Sequence, residues 1–277
     1  MPKVDVMARQ GRSLHVGLNR VDPAHYEGWN GALRACEHDA RDLEAMAGEQ
    51  GYVARRLLTR EATAAAVAEA IGEAAESLRK GDTFLLTYSG HGGQVPDRDG
   101  DEPDHADETW VLYDRQMIDD ELYALWARFR AGVRIAVLSD SCHSGTVTRA
   151  RAVYRLLGAG PRFRLLPAAV GRRVYAAHRA LYDRLAARSG RPGGRAKVKA
   201  TVLLISGCQD NQYSLDGDRN GLFTGTLKQV WDGGRFEGGW RAFRRAIAER
   251  MPPTQSPNYY RIGPANPDFE DGKPFTI

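Results

Sequence analysis

The sequence predicts an α/β fold with a central, mainly parallel sheet and helices on both faces of that sheet. Short apolar or alternating segments, typical of strands, take turns along the chain with longer segments of helical periodicity, a pattern that favours a parallel sheet. Two predicted strands contain uninterrupted apolar runs, residues 84–86 and 135–138. Such runs indicate strands that are covered on both faces, because a strand with one solvated face alternates instead.

The predicted elements follow from local patterns along the chain. Segments with strand-like composition are predicted as strands at residues 13–18, 52–58, 83–89, 109–113, 133–139, 201–206 and 258–262. Segments with apolar residues at helical spacing are predicted as helices at residues 32–48, 61–78, 119–130, 221–231 and 240–251. The acidic residues Asp119, Asp120 and Glu121 favour a helix N-terminus through the helix dipole. Residues 171–188 are predicted to form one further, basic amphipathic helix.

The composition is that of a globular protein. Of the 277 residues, 42% are hydrophobic and 27% are charged, which excludes a disordered or collagen-like chain. No apolar run is long enough to cross a membrane, and the first residues lack the basic and apolar regions of a secretory signal. Cys36, Cys142 and Cys208 lie far apart, without disulfide or zinc spacing. We therefore expect a cytoplasmic protein with no membrane partner.

Basic residues are concentrated in one segment, residues 149–199. It contains twelve Arg, two Lys and one acidic residue, a net charge of +13, whereas the rest of the chain carries −9. We interpret it as an Arg-rich linker between a large region, residues 1–148, and a small region, residues 200–277, of the same domain. The segment lacks the interleaved aromatic residues of a nucleic-acid stacking surface, so nucleic acid is not expected as the main partner.

Two chemically active side chains follow two of the buried strands. His91 lies between Gly90 and Gly92 directly after the strand at 83–89, and Cys142 follows the strand at 133–139. The working residues of parallel sheets lie beyond the carboxyl ends of the strands, so we expect this imidazole and thiol at one edge. A thiol beside an imidazole is the arrangement that thiol nucleophilic catalysis needs. Taken singly, each residue has a structural alternative, as a loop histidine or a small buried side chain.

The sequence around these two residues resembles a known family. The SGHG motif at His91 and the DSCHSG motif at Cys142 are similar to the catalytic motifs of the caspase/metacaspase superfamily of cysteine peptidases (clan CD, family C14). The similarity is greatest to bacterial metacaspase-like, orthocaspase-type proteins. Shorter matches occur in the family's order at residues 33–40, 107–114, 118–121, 206–210 and 221–225.

This resemblance implies a caspase-like sandwich that hydrolyses peptide bonds. Cys142 would be the nucleophile and His91 the general acid and base, while the backbone N–H groups of Gly92 and Cys142 would form the oxyanion hole. It also implies an acidic pocket for the side chain before the cut, at positions Cys36, Asp39, Ser89 and Asp140.

Two carboxylates in one pocket favour a guanidinium, which they bind through paired, charge-assisted hydrogen bonds. We therefore expect cleavage after Arg, with Lys second. The alternative is that Asp140 caps a turn while Asp39 pairs with Arg34 or Arg41 on the surface.

Calcium is a further implication of the resemblance. Many metacaspases are activated by calcium through acidic side chains, and Asp107, Asp119 and Asp120 resemble these in placement. The acidic stretch at 95–121 does not have the spacing of an EF-hand loop, and residues 146–151 are basic where a further acid would be expected. Calcium binding and a solvated acidic loop are both left open, and the thiol chemistry itself requires no cofactor.

The basic linker stands where caspase relatives are cut. Its opposite charge to the rest of the chain motivates the hypothesis that it lies across the acidic cleft and keeps the enzyme latent until it is cut. The cut would be made by the enzyme itself or by an upstream peptidase. Candidate positions are Arg149, Arg151, Arg172, Arg173, Arg188, Arg191 and Arg195. The alternatives are a surface helix that is never cut and a docking element for a partner protein.

The sequence thus predicts an Arg-directed cysteine endopeptidase that acts on proteins with exposed Arg-containing loops. Stress response, cell suicide and antiviral defence in bacteria are settings that the family resemblance implies. The alternative function is a catalytically silent caspase-like module that binds basic partner segments through its acidic groove.

Overall fold

A computed structural model describes residues 8–97, 106–142, 162–189, 197–208, 212 and 214–277. Its strands are β1 (Gly11–Gly17), β2 (Val53–Leu58), β3 (Thr83–Ser89), β4 (Gly92–Pro96), β5 (Ala106–Val111), β6 (Gln116–Ile118), β7 (Arg134–Asp140), β8 (Arg162–Phe163), β9 (Thr201–Ser206), β10 (Leu215–Asp216) and β11 (Asn258–Ile262). Its α-helices are α1 (Cys36–Glu49), α2 (Ala64–Ser77), α3 (Asp119–Trp126), α4 (Ala168–Ala177), α5 (Arg179–Ser189), α6 (Leu222–Trp231), α7 (Trp240–Arg250) and α8 (Pro267–Glu270).

The central sheet has six strands in the order β11-β9-β7-β3-β1-β2. Its strands are parallel except for β11, which runs antiparallel to β9. The prediction of an α/β fold with a mainly parallel sheet is therefore confirmed. Each predicted strand is present, with ends shifted by at most three residues. Because β9 and β11 come from the small region and pair next to β7, the large and small regions share one sheet.

Apolar side chains fill both faces of this sheet. Phe84 and Leu86 on β3 pack into a cluster with the apolar sides of α2 and α3, while Leu85 between them points to the opposite face. On that face it joins a second cluster that includes residues of α1, α6 and α7. The uninterrupted apolar run in β3 is thus explained by helices on both sides, as predicted.

The described part of the basic linker packs against the rest of the fold. The single helix predicted at 171–188 is in fact two helices, α4 and α5, because the chain turns at His178. They cover a small antiparallel sheet of β4, β5 and β6 and bury Val170, Val174 and Tyr182 there. Among the described residues, no helix is long and apolar enough to cross a membrane.

A histidine pair joins this linker to the body of the protein. The ring of His25 stacks on that of His178 with centroids 4.1 Å apart, and its Nε2 lies 2.8 Å from the hydroxyl of Tyr182. Burial, followed by the charge that His178 can carry, lowers the pKa of His25 from 6.5 to about 4. The unfolded chain therefore binds more protons than the folded protein between these two pH values. Stability from neutral His25 is complete above pH 6.5 and is lost as the pH falls toward 4.

We predict that the free energy of unfolding in urea falls between pH 7 and pH 5, and falls less in His25→Gln, which cannot take up a proton. His38→Gln changes an exposed histidine on α1 and serves as the matched control, which should keep the wild-type pH dependence. If the free energy of unfolding fell equally in wild type and in His25→Gln between pH 7 and pH 5, protonation of His25 would not be the cause of the loss.

Candidate active site

Parallel pairing brings the two predicted catalytic residues to one edge of the sheet. Ser89 at the end of β3 lies opposite Asp140 at the end of β7. His91 and Cys142 each follow two residues later, and both are buried, with 5% and 0% of their surface exposed. The expectation that the imidazole and the thiol leave the sheet at the same edge agrees with this arrangement.

The imidazole of His91 is held in a defined orientation. Its Nε2 lies 2.9 Å from the carbonyl oxygen of Gly31, and its ring packs against Trp29 with centroids 4.8 Å apart. The Nε2–H donor that this contact requires leaves Nδ1 as the basic nitrogen. Among the described residues Nδ1 has no hydrogen-bond partner. Burial lowers the pKa of His91 to about 4, so the ring is neutral at pH 7 and Nδ1 can accept a proton.

Gly31 has a backbone conformation that this contact needs. Its φ is +54°, and a Cβ at this position would lie 2.8 Å from the ring of Trp29. A side chain here would therefore be strained and would displace the carbonyl that orients His91.

The thiol of Cys142 lies against the backbone of Ser214. It is 3.7 Å from the carbonyl oxygen of Ser214, and the N–H of Ser214 donates to its sulfur. Cys208, which follows the next strand β9, packs beside it and donates to the carbonyl of Ser141 at 3.3 Å. A hydrogen bond with Cys142, followed by burial, raises the pKa of Cys208. None of the three cysteines forms a disulfide.

The linker enters this site at Arg164. The carbonyl oxygen of Arg164 accepts hydrogen bonds from the backbone N–H of Gly92 at 3.0 Å and from that of Cys142 at 3.1 Å. These are the two N–H groups predicted from the family resemblance as the oxyanion hole. A peptide carbonyl between two such donors has the position of a carbonyl that is about to be attacked.

The side chain of Arg164 fills the acidic pocket and is completely buried. Its Nη2 lies 2.7 Å from a carboxylate oxygen of Asp39 and 3.1 Å from one of Asp216, and its Nη1 lies 2.9 Å from Asp140. Nη1 also donates to the hydroxyl of Ser89 at 2.7 Å. The three carboxylates hold the pKa of Arg164 well above its usual value, so the guanidinium keeps its charge.

The N-terminus of α6 holds two of these carboxylates in place. Asp140 accepts hydrogen bonds from the N–H and the hydroxyl of Thr224 at 3.1 and 2.8 Å, and Asp39 accepts one from the N–H of Gly221 at 3.1 Å. Free N–H groups and the helix dipole both favour negative charge at this end of a helix. Burial raises the pKa of Asp39, and the guanidinium of Arg164 opposes that rise.

Of the residues predicted for the pocket, the structure brings Asp39, Ser89 and Asp140 together around Arg164. Cys36 lies one turn before Asp39 on α1, is fully buried, and has its pKa raised mainly by burial. Asp39 does not pair on the surface; Arg34 and Arg41 form ion pairs with other residues, Asp218 and Glu37.

Sequence reasoning missed the two further charged residues of this site, Arg164 and Asp216. Arg164 is one of twelve arginines in the linker, and its apolar flanks do not set it apart, because Arg155 also has an aromatic residue before it and two leucines after it. Asp216 lies on a two-residue strand, too short to show any periodicity in the sequence.

The other predicted residues lie elsewhere. Arg172 and Arg173 are exposed on α4, and neither enters the pocket. Arg188 is in the last turn of α5, and its side chain is not among those described. Arg149, Arg151, Arg191 and Arg195 lie outside the described residues.

The described residues that were predicted to bind calcium do not form a metal site. Asp107 is on β5, whereas Asp119 and Asp120 begin α3. Within the described parts of the chain, no three His, Cys, Asp or Glu side chains form a group that could hold a metal ion. No step of the chemistry below is therefore derived through calcium.

Comparison with known proteins agrees with the motifs and the fold. The family model of the peptidase C14 caspase domain matches residues 21–264. The chain belongs to this family. It is similar to Metacaspase-1 of Mycosarcoma maydis, with 30% identity over 79% of this chain and 61% of the relative. It is also similar to Metacaspase-1 of Coccidioides immitis, with 30% identity over 78% of this chain and 52% of the relative.

A solved structure has the same fold as this chain. The crystal structure of a Geobacter sulfurreducens protein superposes with a TM-score of 0.87, at 52% identity, over 97% of this chain and 99% of the other. By contrast, the chain spans 61% and 52% of the lengths of the two metacaspases it matches.

Removal of the cation from this pocket should be costly, because three buried carboxylates would be left without a partner. In a Cys142→Ala background, which prevents any cutting, we predict that Arg164→Ala lowers the free energy of unfolding by about 3 kcal/mol. Millimolar acetyl-arginine amide should restore part of this loss by filling the pocket. The measurement is urea unfolding with and without the compound.

Arg172→Ala is the matched control for this experiment, since it removes an exposed arginine of the same linker. It should change stability by no more than about 0.5 kcal/mol and should not respond to the compound. Equal stability of the two variants would contradict the ion-pair network as described.

Proposed function

We propose that this protein is a cysteine endopeptidase that cuts proteins after Arg, and less readily after Lys, with Cys142 as nucleophile and His91 as general acid and base. One observation carries the proposal: Arg164 has its guanidinium among three carboxylates while its carbonyl oxygen accepts from both Gly92 and Cys142. A substrate arginine bound in the same way would present its carbonyl carbon beside the thiol.

The proposed reaction has two steps, formation of a thioester on Cys142 and its hydrolysis. Nδ1 of His91 takes the proton of the Cys142 thiol, and the sulfur attacks the carbonyl carbon of the arginine while the oxygen gains negative charge between the two N–H donors. The C–N bond then breaks, the leaving amine receives the proton from His91, and a thioester is left on Cys142. Water, deprotonated by the same imidazole, attacks the thioester carbonyl. The C–S bond breaks, the sulfur of Cys142 takes the proton back from His91, and the arginine carboxyl group is released.

Leu165 supplies the leaving group if Arg164 is the residue attacked. Its nitrogen then takes the proton that His91 received from the thiol.

The pocket supports Arg over Lys and excludes acidic residues. The guanidinium of Arg164 contacts Asp39 and Asp216 through one terminal nitrogen and Asp140 and Ser89 through the other. A single ammonium group cannot fill both positions at once. An aspartate side chain would meet three carboxylates, at a cost of several kcal/mol.

We further propose that the enzyme is latent while Arg164 occupies the pocket. Both the oxyanion donors and the carboxylates are engaged by this residue, so another arginine cannot bind productively. A cut between Arg164 and Leu165, by the enzyme itself or by an upstream peptidase, would detach Arg164 from α4 and let it leave as a product. Its substrates would then be proteins with Arg in an exposed, extended loop.

Fluorogenic peptides that differ only in the last residue test the activity. After incubation to allow activation, we expect wild type to cleave the Arg peptide about 10-fold faster than the Lys peptide, and the Asp peptide at least about 100-fold more slowly than the Arg peptide. Cys142→Ala should lose at least about 1,000-fold on every peptide.

The same experiment separates the two candidate functions. Binding of the Arg peptide to wild type without any turnover would contradict the peptidase and favour the catalytically silent binding module. Turnover that Cys142→Ala retains would assign the reaction to another nucleophile.

A further inference from the structure

The linker passes through the site as an extended strand. Arg162 and Phe163 form β8, which pairs antiparallel with Asp216 and Leu215 of β10. The N–H of Arg164 continues this pairing by donating to the carbonyl of Ser214 at 3.0 Å. Side chains along an extended strand alternate in direction, so Arg162 and Arg164 point to the same side. On that side they meet one shared carboxylate.

Asp216 contacts both arginines. One of its oxygens is 3.1 Å from Nη2 of Arg164, and the other is 3.4 Å from Nε of Arg162. Its side chain has no exposed surface, and the backbone N–H groups of Arg34 and Ala35 donate to it at 2.8 and 3.2 Å. These two N–H groups hold the carboxylate between Arg162 and Arg164, so that each of its oxygens can contact one of the two cations.

Asp218 adds a second negative charge on the same side. It is 91% exposed and lies 3.9 Å from Nη2 of Arg162, and it also pairs with Arg34 at 3.4 Å. Because this ion pair is near solvent, its contribution is small next to that of buried Asp216. The position of Arg162 is therefore acidic on two sides, although only one of its partners is buried.

Apolar groups flank Arg164 on either side along the chain. Phe163 and Leu165 pack against the cluster of Cys142 and Cys208. Leu166 is buried among the apolar residues under α4, and its N–H donates to the carbonyl of Gly92 at 2.7 Å. The site thus holds an apolar residue before the arginine and two after it.

We propose that Asp216, assisted by Asp218, selects a second basic residue two positions before the arginine at the cut. The preferred substrate segment then reads basic, apolar, Arg, followed by two apolar residues. This inference rests on the proposed function and adds to it a specificity-determining residue, Asp216, and a recognition sequence of five residues. The linker segment Arg-Phe-Arg-Leu-Leu is the internal copy of that sequence.

Internally quenched peptides test this preference in the activated wild-type enzyme. Relative to Arg-Phe-Arg-Leu-Leu, a peptide with Ala in place of the first Arg should lose about 5- to 10-fold in kcat/KM, and one with Glu there should lose more. Asp in place of the second Leu should cost a similar factor, because its charge would be buried among apolar side chains.

A variant separates recognition by the acidic side chains from a general effect of peptide charge. In Asp218→Lys the ratio of kcat/KM between the Arg and Glu peptides should fall at least about 3-fold. Asp232→Asn removes an exposed aspartate that pairs with Arg235 and serves as the matched control, whose ratio should equal that of wild type.

The outcomes distinguish this inference from the proposed function. Equal rates on the Arg, Ala and Glu peptides, with Arg still required at the cut, would overturn the inference and leave the Arg-directed peptidase standing. An unchanged Arg-to-Glu ratio in Asp218→Lys would remove Asp218 from the recognition site. Absence of turnover on every peptide would overturn both the function and the inference.

Discussion

The ion-pair network around Arg164 is the interaction on which the rest of the site depends. One buried guanidinium faces Asp39, Asp140 and Asp216, so the network buries more negative than positive charge. Such a cluster is stable only if a cation is present, because unpaired buried carboxylates are very costly. This need for a cation holds the linker in the pocket, and it is the property on which the proposed selectivity for arginine rests.

The parallel sheet supplies the geometry for this network. Ser89 and Asp140 are opposite each other in the register of β3 and β7, and His91 and Cys142 follow two residues further on at the same edge of the sheet. α6 then brings the N–H groups of Gly221 and Thr224 to the two carboxylates. The acidic pocket and the proposed catalytic pair thus share the same two strand ends. The residue that fills the pocket, Arg164, therefore also has its carbonyl oxygen at the N–H groups of Gly92 and Cys142.

Much of this could be predicted from residues alone, and the missing parts have a common cause. Buried strands with apolar runs, and reactive residues directly after them, are local patterns, so the sheet and the edge at which His91 and Cys142 lie could be predicted from the sequence. β8 and β10 are two residues long and show no periodicity. The positions of Arg164 and Asp216 depend on contacts between distant parts of the chain, and local sequence patterns do not predict such contacts. The split of one predicted helix into α4 and α5 has a similar origin.

The identity of the bond that the protein cuts in itself tests the role of Arg164 most directly. Purified wild type is incubated, and the new N-terminus is determined by mass spectrometry. We predict a single cut that begins the new fragment at Leu165. This cut should be retained in Arg172→Gln and absent in Cys142→Ala and Arg164→Gln. A first cut after a different arginine, or an intact chain that is fully active on Arg peptides, would contradict the claim that Arg164 is bound as a substrate.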